Sequence, residues 1–409
     1  MKILLSAYAC EPGGGSETGK GWRFAEGLAR HGCDVTVLTC GSHHRAAIER
    51  HADIPPNLRF VWHDVLGWRG PGYEDARHIR QHYMAWQMTA RPAVRRLLAQ
   101  QNFDVIHHLT WTVLRWPSFL GGLGPRFVFG PVGGGEVAPA ALRPALPLAA
   151  RRREGLRDVI NRWGRMDPTV RACLRRADSI LVTDEATRRH IPARWHDKTT
   201  VLADIYAPPV RRIARATDPQ APRLLFAGRM EAWKGAQFAL GALARLRRSR
   251  PGAVLTLAGG GPDEAYLRRC ADDLGLGDAA RFVGRVPHDR MTALYAAQDI
   301  FVFPSLHDSG PHVIGEALAH GLPVVCLNLG GPGVAVDASC GAVVPADVPA
   351  DALHDRLADA IGAMLDAPGR MEALREGAYA RAARFSDEAR IADMVSRFYA
   401  PNVGVSHAA

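Results

Sequence analysis

The chain has 409 residues, too many for one ordinary hydrophobic core and enough for two domains of about 200 residues each. Apolar residues make up 47% and charged residues 22%, a composition that excludes a disordered chain, and no apolar run reaches the roughly 18 residues of a membrane span. The net charge is +10 and almost all of it is arginine, since Lys2, Lys20, Lys198 and Lys234 are the only lysines; such a balance favours anionic partners such as nucleotide phosphates or anionic headgroups.

Residues 3–9 form a short apolar run with almost no basic segment before it, which reads as a first buried strand rather than a leader. Further strand-like runs follow at 34–40, 58–65, 104–110, 126–132 and 178–184, each succeeded by a helical pattern. Several, such as 179–183, are apolar nearly throughout, as strands buried on both faces are, and their alternation with helices predicts βαβ units. A proline-bearing stretch at 204–222 reads as a linker. The alternation then restarts at 223–227, 254–258, 281–283, 300–303, 323–327 and 342–344. The expected fold is α/β, with two doubly wound Rossmann-like domains facing across a cleft. Their expected limits are 1–205 and 206–385, with a C-terminal helix over 386–409 that packs back across the domains and ends in a frayed tail from Pro401. The seven cysteines are odd in number and contain no CxxC, which argues against a disulfide framework and for a reducing cytosol.

Motifs sit where these strands end, the edge at which such sheets hold ligands. After the first strand come Gly13, Gly14 and Gly15, with Ser16 as expected N-cap; glycines let backbone approach a ligand, and helix-terminal amides suit an anion. The spacing fits GxGxxG in no register, which weakens a dehydrogenase reading. After residue 227 come Gly228, Arg229 and Lys234, two cations in one strand-to-helix turn that suit a diphosphate. Lys234 is expected to stand exposed there. Residues 281–286 end a strand at Gly284, where backbone could meet a base. After residue 303 come Asp308, Ser309, Gly310 and Pro311, with Ser309 or Gly310 expected to cap the next helix. Glu316 lies further along that helix, where a carboxylate can accept from a vicinal diol such as a ribose.

Together these motifs resemble family 4 of the nucleotide-sugar glycosyltransferases, also called glycosyl transferases group 1, which have the GT-B fold. The resemblance runs over nearly the whole chain and is strongest from Leu224 to Gly331. It implies retaining transfer from a nucleoside-diphosphate sugar to a glycan, lipid-linked or small-molecule acceptor, without cofactor or metal; the lack of an Asp-x-Asp motif agrees. By the same resemblance Arg229 and Lys234 neutralise the leaving diphosphate, and the Gly15 amide faces it from the other domain, beside Gly14. Gly228, Ser309 and Gly310 border the donor, Glu316 holds the ribose hydroxyls and backbone near Val286 meets the base. Asp308 orients the donor sugar where the family usually has glutamate, and Pro311 stands where it has glycine; both departures bear on sugar identity. A family histidine beneath the donor sugar corresponds to His107 or His108. Neighbours on a strand point to opposite faces, so only one of the two can readily face the cleft, and His108 is favoured. Glu136, in a third glycine turn, borders the acceptor.

Two further signals are weighed and set lower. His78 and His82 lie four apart on a predicted helix, but with no third ligand nearby they read as a solvated face. Residues 143–176 hold ten arginines against three acids. That suits peripheral contact with anionic membrane at its cytoplasmic face, with a plain solvated face as the alternative. Aromatic interleaving is lacking, so no nucleic-acid partner is expected. The competing functions are a nucleotide-sugar epimerase or a phosphorylase of the same fold, or a sugar-nucleotide-binding subunit without turnover. A phosphorylase would need a second lysine in the C-terminal half.

Overall fold

A computed structural model describes residues 1–68, 78–111 and 113–400. The expected frayed tail at 401–409 lies outside them. The chain forms two compact units.

The first unit comprises residues 1–135, 161–202 and 387–409. Its sheet holds β1 (Lys2–Ser6), β2 (Asp34–Thr39), β3 (Leu58–Trp62), β4 (Val105–His108), β5 (Arg126–Val132), β6 (Ser179–Val182) and β7 (Thr199–Val201). The order is β3-β2-β1-β4-β5-β6-β7 and every pair is parallel. Strand alternation divides the core: Leu4 and Ile106 pack on one face with Tyr83 and Trp86, while Ile3, Leu5 and Val105 pack on the other with Trp22 and Leu28. Both faces are covered, which is why these strands read as continuous apolar runs. The helices around it are α1 (Ser16–Arg30), α2 (Gly41–Glu49) and α3 (Ile79–Gln100). Helix α4 (Leu148–Gly164) enters from the second unit and is followed by α5 (Pro168–Arg176) and α6 (Glu185–Arg188). The edge strand β7 is absent from the sequence reading; its three residues include two threonines and carry no apolar run.

The second unit comprises residues 136–160 and 203–386. Its sheet holds β8 (Arg223–Ala227), β9 (Val254–Ala258), β10 (Ala280–Gly284), β11 (Ile300–Phe303), β12 (Val324–Leu327) and β13 (Gly341–Val344). The order is β10-β9-β8-β11-β12-β13, again all parallel. Helices α7 (Ala236–Leu246), α8 (Glu264–Asp273), α9 (His288–Ala296), α10 (His312–Ala319), α11 (Gly330–Ala335), α12 (Ala350–Asp366) and α13 (Arg370–Arg384) surround it. Helix α14 (Asp387–Met394) belongs to the first unit, where Ile391 and Met394 join the core and Ile391 Cγ1 fills the space a Cβ at Gly27 would take.

One boundary differs from the sequence reading. Residues 136–160, expected in the N-terminal domain, group with the second unit. Ala138, Leu142, Leu146 and Ala150 are buried in its core, and the Tyr266 hydroxyl donates to the Ala145 carbonyl at 2.6 Å. Chain order alone could not assign them, because the residues that receive them lie far along the chain, Tyr266 being 121 positions after Ala145.

Candidate active site

In each sheet the strand order reverses beside the first strand of the unit, and the loops at that reversal carry the expected residues. In the second unit the reversal lies between β8 and β11. The residues after β8, β9 and β10 meet the side chains of α9 and α10 around a cavity of about 320 Å³. Gly228, Arg229, Gly259, Gly260, Arg285, Val286, Met291, Val313 and Glu316 line it, a volume in the range of small-molecule sites. Gly259 is required by packing: its φ is +138°, and a Cβ there would lie 1.8 Å from the Gly228 carbonyl oxygen.

Four of the expected residues, Gly228, Arg229, Val286 and Glu316, therefore share one wall system. Arg229 is 68% exposed, with its guanidinium 3.1 Å from Glu231. Glu316 is half-buried, and its Oε2 accepts from the Tyr295 hydroxyl at 2.8 Å. That leaves Oε1 for a hydroxyl-bearing ligand. Tyr295 is itself buried, and burial beside Glu316 raises its hydroxyl far above the ordinary tyrosine value, so it stays a donor. Sequence reasoning missed Tyr295, which sits on α9 with an apolar pattern around it, and Arg285, which precedes Val286.

Lys234 departs from expectation. It is not an exposed cation: its side chain is 16% exposed, and its ammonium is paired with Asp308, itself 12% exposed. The ammonium also lies over the Trp233 ring, 4.2 Å from its centroid. Gly235 follows in the left-handed region at φ +84°, where a Cβ would lie 1.9 Å from the Pro304 carbonyl oxygen, so the lysine turn is pressed onto the loop after β11. The Asp308 carbonyl accepts from the Gly331 amide at 2.7 Å, which fixes that loop from its other side. Trp233 stacks on His307 with centroids 4.5 Å apart, and His307 Nε2 lies 2.9 Å from Glu154 Oε1 on α4.

The helix caps differ as well. Pro311 is the N-cap of α10, and neither Ser309 nor Gly310 caps it. The Ser309 hydroxyl donates instead to Glu136, which is 2% exposed and also receives Arg157 at 3.2 Å. Glu136, read as bordering the acceptor, thus holds the loop that carries Asp308. Gly310 packs against the Asp204 carbonyl, 2.2 Å from where its Cβ would stand, and admits no side chain.

In the first unit, Gly15 rather than Ser16 is the N-cap of α1. Gly15 is exposed, and a Cβ there would meet nothing within 4 Å; Gly14 is tighter, with the Thr18 hydroxyl 2.4 Å from its Cβ position. The two histidines at the end of β4 are both 0% exposed, so the expectation that one faces open ligand space is not met. His107 Nε2 lies 2.6 Å from the Gly130 carbonyl oxygen, and its Nδ1 meets the Tyr399 hydroxyl. His108 Nε2 lies 2.9 Å from the Tyr83 hydroxyl and its Nδ1 3.2 Å from the Ser6 hydroxyl. Burial pushes His107 down to about 4 and His108 down to about 3, so both are neutral at pH 7. His82 is 3% exposed, not on a solvated face, and its ring lies with Cys40 and His43.

Comparison with known proteins matches the chain in two parts. Residues 22–203 match the family described as Glycosyltransferase Family 4, and residues 211–381 match Glycosyl transferases group 1. The chain is 30% identical over 298 residues to the GDP-mannose-dependent alpha-(1-6)-phosphatidylinositol monomannoside mannosyltransferase of Mycolicibacterium smegmatis, covering 64% of this chain and 76% of that one. It is 35% identical over 181 residues to the glycogen synthase of Mycobacterium tuberculosis, covering 43% of this chain and 42% of that one, so this match spans under half of that relative's length. Among solved structures, the sucrose-phosphate synthase of Thermosynechococcus elongatus superposes with a TM-score of 0.63 at 21% identity over 97% of each chain. The fold is GT-B.

Proposed function

The chain belongs to the group 1 glycosyltransferases of family 4, and on that premise we propose that it transfers a sugar, with retention and without metal, from a nucleoside-diphosphate donor to a glycan or lipid-linked acceptor. The observation that carries the reading is the cavity in the second unit, with Arg229 at its rim and a free oxygen of Glu316 within it. The Glu316 carboxylate takes the ribose diol, backbone at Val286 takes the base and Arg229 takes the diphosphate. Lys234 is paired with Asp308. A diphosphate competes for that ammonium, and negative charge on the β-phosphate grows as the glycosidic bond breaks, so the cation interacts more strongly in the transition state than in the ground state. Asp308 then turns to the sugar hydroxyls.

A thermal-shift panel of UDP-, GDP-, ADP- and TDP-sugars identifies the donor, because specific binding stabilises by RT ln(1 + [L]/Kd). Transfer with that donor is then expected to survive EDTA and to keep the anomeric configuration, read by NMR. Inverted product, or complete loss in EDTA restored by Mg²⁺ or Mn²⁺, overturns the mechanism. Donor consumption without acceptor points instead to an epimerase.

The acceptor is read as membrane-borne. No helix among the described residues is long and apolar enough to cross a membrane. Helix α4 nevertheless exposes Leu148, Leu156, Val159, Ile160 and Trp163, each by 43% or more, on the side given by the helical period. Exposed Arg151, Arg152, Arg153 and Arg162 flank them, while Glu154 and Asp158 are engaged by His307 and Arg143. An apolar face edged by arginine suits an anionic lipid surface. Flotation with phosphatidylglycerol vesicles, lost in Leu156→Ser/Trp163→Ser, tests it; equal flotation of the variant refutes it.

A further inference from the structure

The carboxyl end of the first sheet brings together a second group of side chains, none of them assigned above to the donor. Cys40 follows β2 directly and is the N-cap of α2, His43 lies in the first turn of α2 and His82 lies near the start of α3. One ligand atom from each lies within 4.8 Å of the other two. Cys40 and His82 are buried and His43 is half-buried. We propose that Cys40, His43 and His82 form a binding site for a zinc-like transition-metal ion.

The donor set and its surroundings carry the proposal. Cys40 and His43 are three apart, the spacing that puts two side chains on one side of a helical turn. Thiolate and imidazole are the donors zinc selects, whereas Mg²⁺ takes oxygen. On a tetrahedral zinc the ligand atoms lie roughly 3.5 Å apart, so the observed separations close with small side-chain movements. The His43 and His82 rings already stand nearly edge to face, with centroids 5.2 Å apart. His82 Nδ1 is 2.7 Å from the Tyr8 hydroxyl, which orients the ring and leaves Nε2 for the ion. Asp64 supplies the next position: Cys40 Sγ is 3.6 Å from its Oδ1, which also accepts from the Ser42 amide at 2.8 Å, and its side chain reaches solvent. The fourth ligand is therefore Asp64 or a water that it orients. Uptake exchanges the Cys40 thiol proton for the ion, forming the sulfur–metal bond and releasing H⁺ to solvent. The ion would pin α2, α3, the loop after β3 and the Tyr8 segment after β1 to one another. It does not rest on the transferase reading and does not replace Arg229 or Lys234, because a soft, Cys/His-bound ion is not the oxygen-bound cation that accompanies a diphosphate.

The test uses the full chain without an affinity tag, reduced and stripped by chelator. ZnSO4 is titrated in competition with a chromogenic chelator, and CoCl2 is followed by absorption. One zinc per chain and a sulfur-to-cobalt charge-transfer band are expected. Cys40→Ser abolishes the band, His43→Ala weakens zinc by about tenfold or more, and Tyr8→Phe weakens it by about 10–100-fold as an outer partner. Cys173→Ser, a buried thiol elsewhere in the same unit, keeps both signals. Because Cys40 is wholly buried, circular dichroism accompanies its variant, and His43→Ala at the half-buried position keeps the test decisive if that variant misfolds. No cobalt band in the wild type, or zinc affinity unchanged in His43→Ala, overturns the site.

Discussion

Removing Lys234 separates two effects that its position joins. In Lys234→Ala the diphosphate loses a preorganised cation, which costs about 2.7–4 kcal/mol of transition-state stabilisation, or roughly 10²–10³ in turnover. The same change strands Asp308, whose carboxylate is 12% exposed and paired to that lysine. Breaking a buried pair from one side costs about 3–5 kcal/mol. With both groups still touching solvent, the low end applies, about 3 kcal/mol, which for a unit of this size lowers Tm by roughly 6–12 °C. Lys234→Ala/Asp308→Ala removes the stranded charge, so stability should return most of the way while turnover stays low. The assay is turnover at saturating donor and acceptor, with thermal melts of the two single variants and the double. Retention of more than about a third of wild-type turnover in Lys234→Ala, where 1% or less is expected, refutes the phosphate role. A double variant no more stable than Lys234→Ala refutes the pairing argument.

Arg229→Ala should lose turnover by a comparable factor but leave Tm nearly unchanged, within about 0.5 kcal/mol, because its side chain is 68% exposed; its effect should not add to that of Lys234→Ala if both meet one diphosphate. Glu316→Ala should weaken donor binding by roughly 10–100-fold in calorimetry, the loss of charge-assisted hydrogen bonds worth about 1.5–3 kcal/mol, and an unchanged Kd would remove Glu316 from the ribose. Acid should unfold the first unit through His107 and His108, whose folded values are about 4 and about 3. The unfolded imidazoles bind protons below about 6.5 while the folded ones do not. Stability is therefore full above that value and falls as pH drops toward 4, by up to about 1.4 kcal/mol per pH unit for each histidine. Melts between pH 7 and 5 should show the slope, and His108→Gln should flatten it; a wild type with no slope contradicts the buried neutral assignment.

Much of the fold is written locally. Strands β5, β8, β9 and β11 fall on the residues their apolar runs mark, because a strand covered on both faces needs a nearly continuous apolar stretch. The glycine turns after β1, β8 and β9, the cations at 229 and 234 and the glutamate at 316 are also local, since each is set by what a strand-to-helix turn admits. Gly228, Arg229, Val286 and Glu316 meet because parallel strands of one sheet end on the same side. What the sequence could not carry are pairings whose partners lie far apart along the chain. Lys234 finds Asp308 74 residues on, Ser309 finds Glu136 173 residues back, and His107 finds Tyr399 292 residues on. His82 finds Cys40 and His43 across two elements. A cation in a turn reads the same whether it is exposed or paired, and a histidine at a strand end reads the same whether it opens to ligand or is sealed by tyrosine. Burial and partner are properties of the packed chain, so only the tertiary structure decided them.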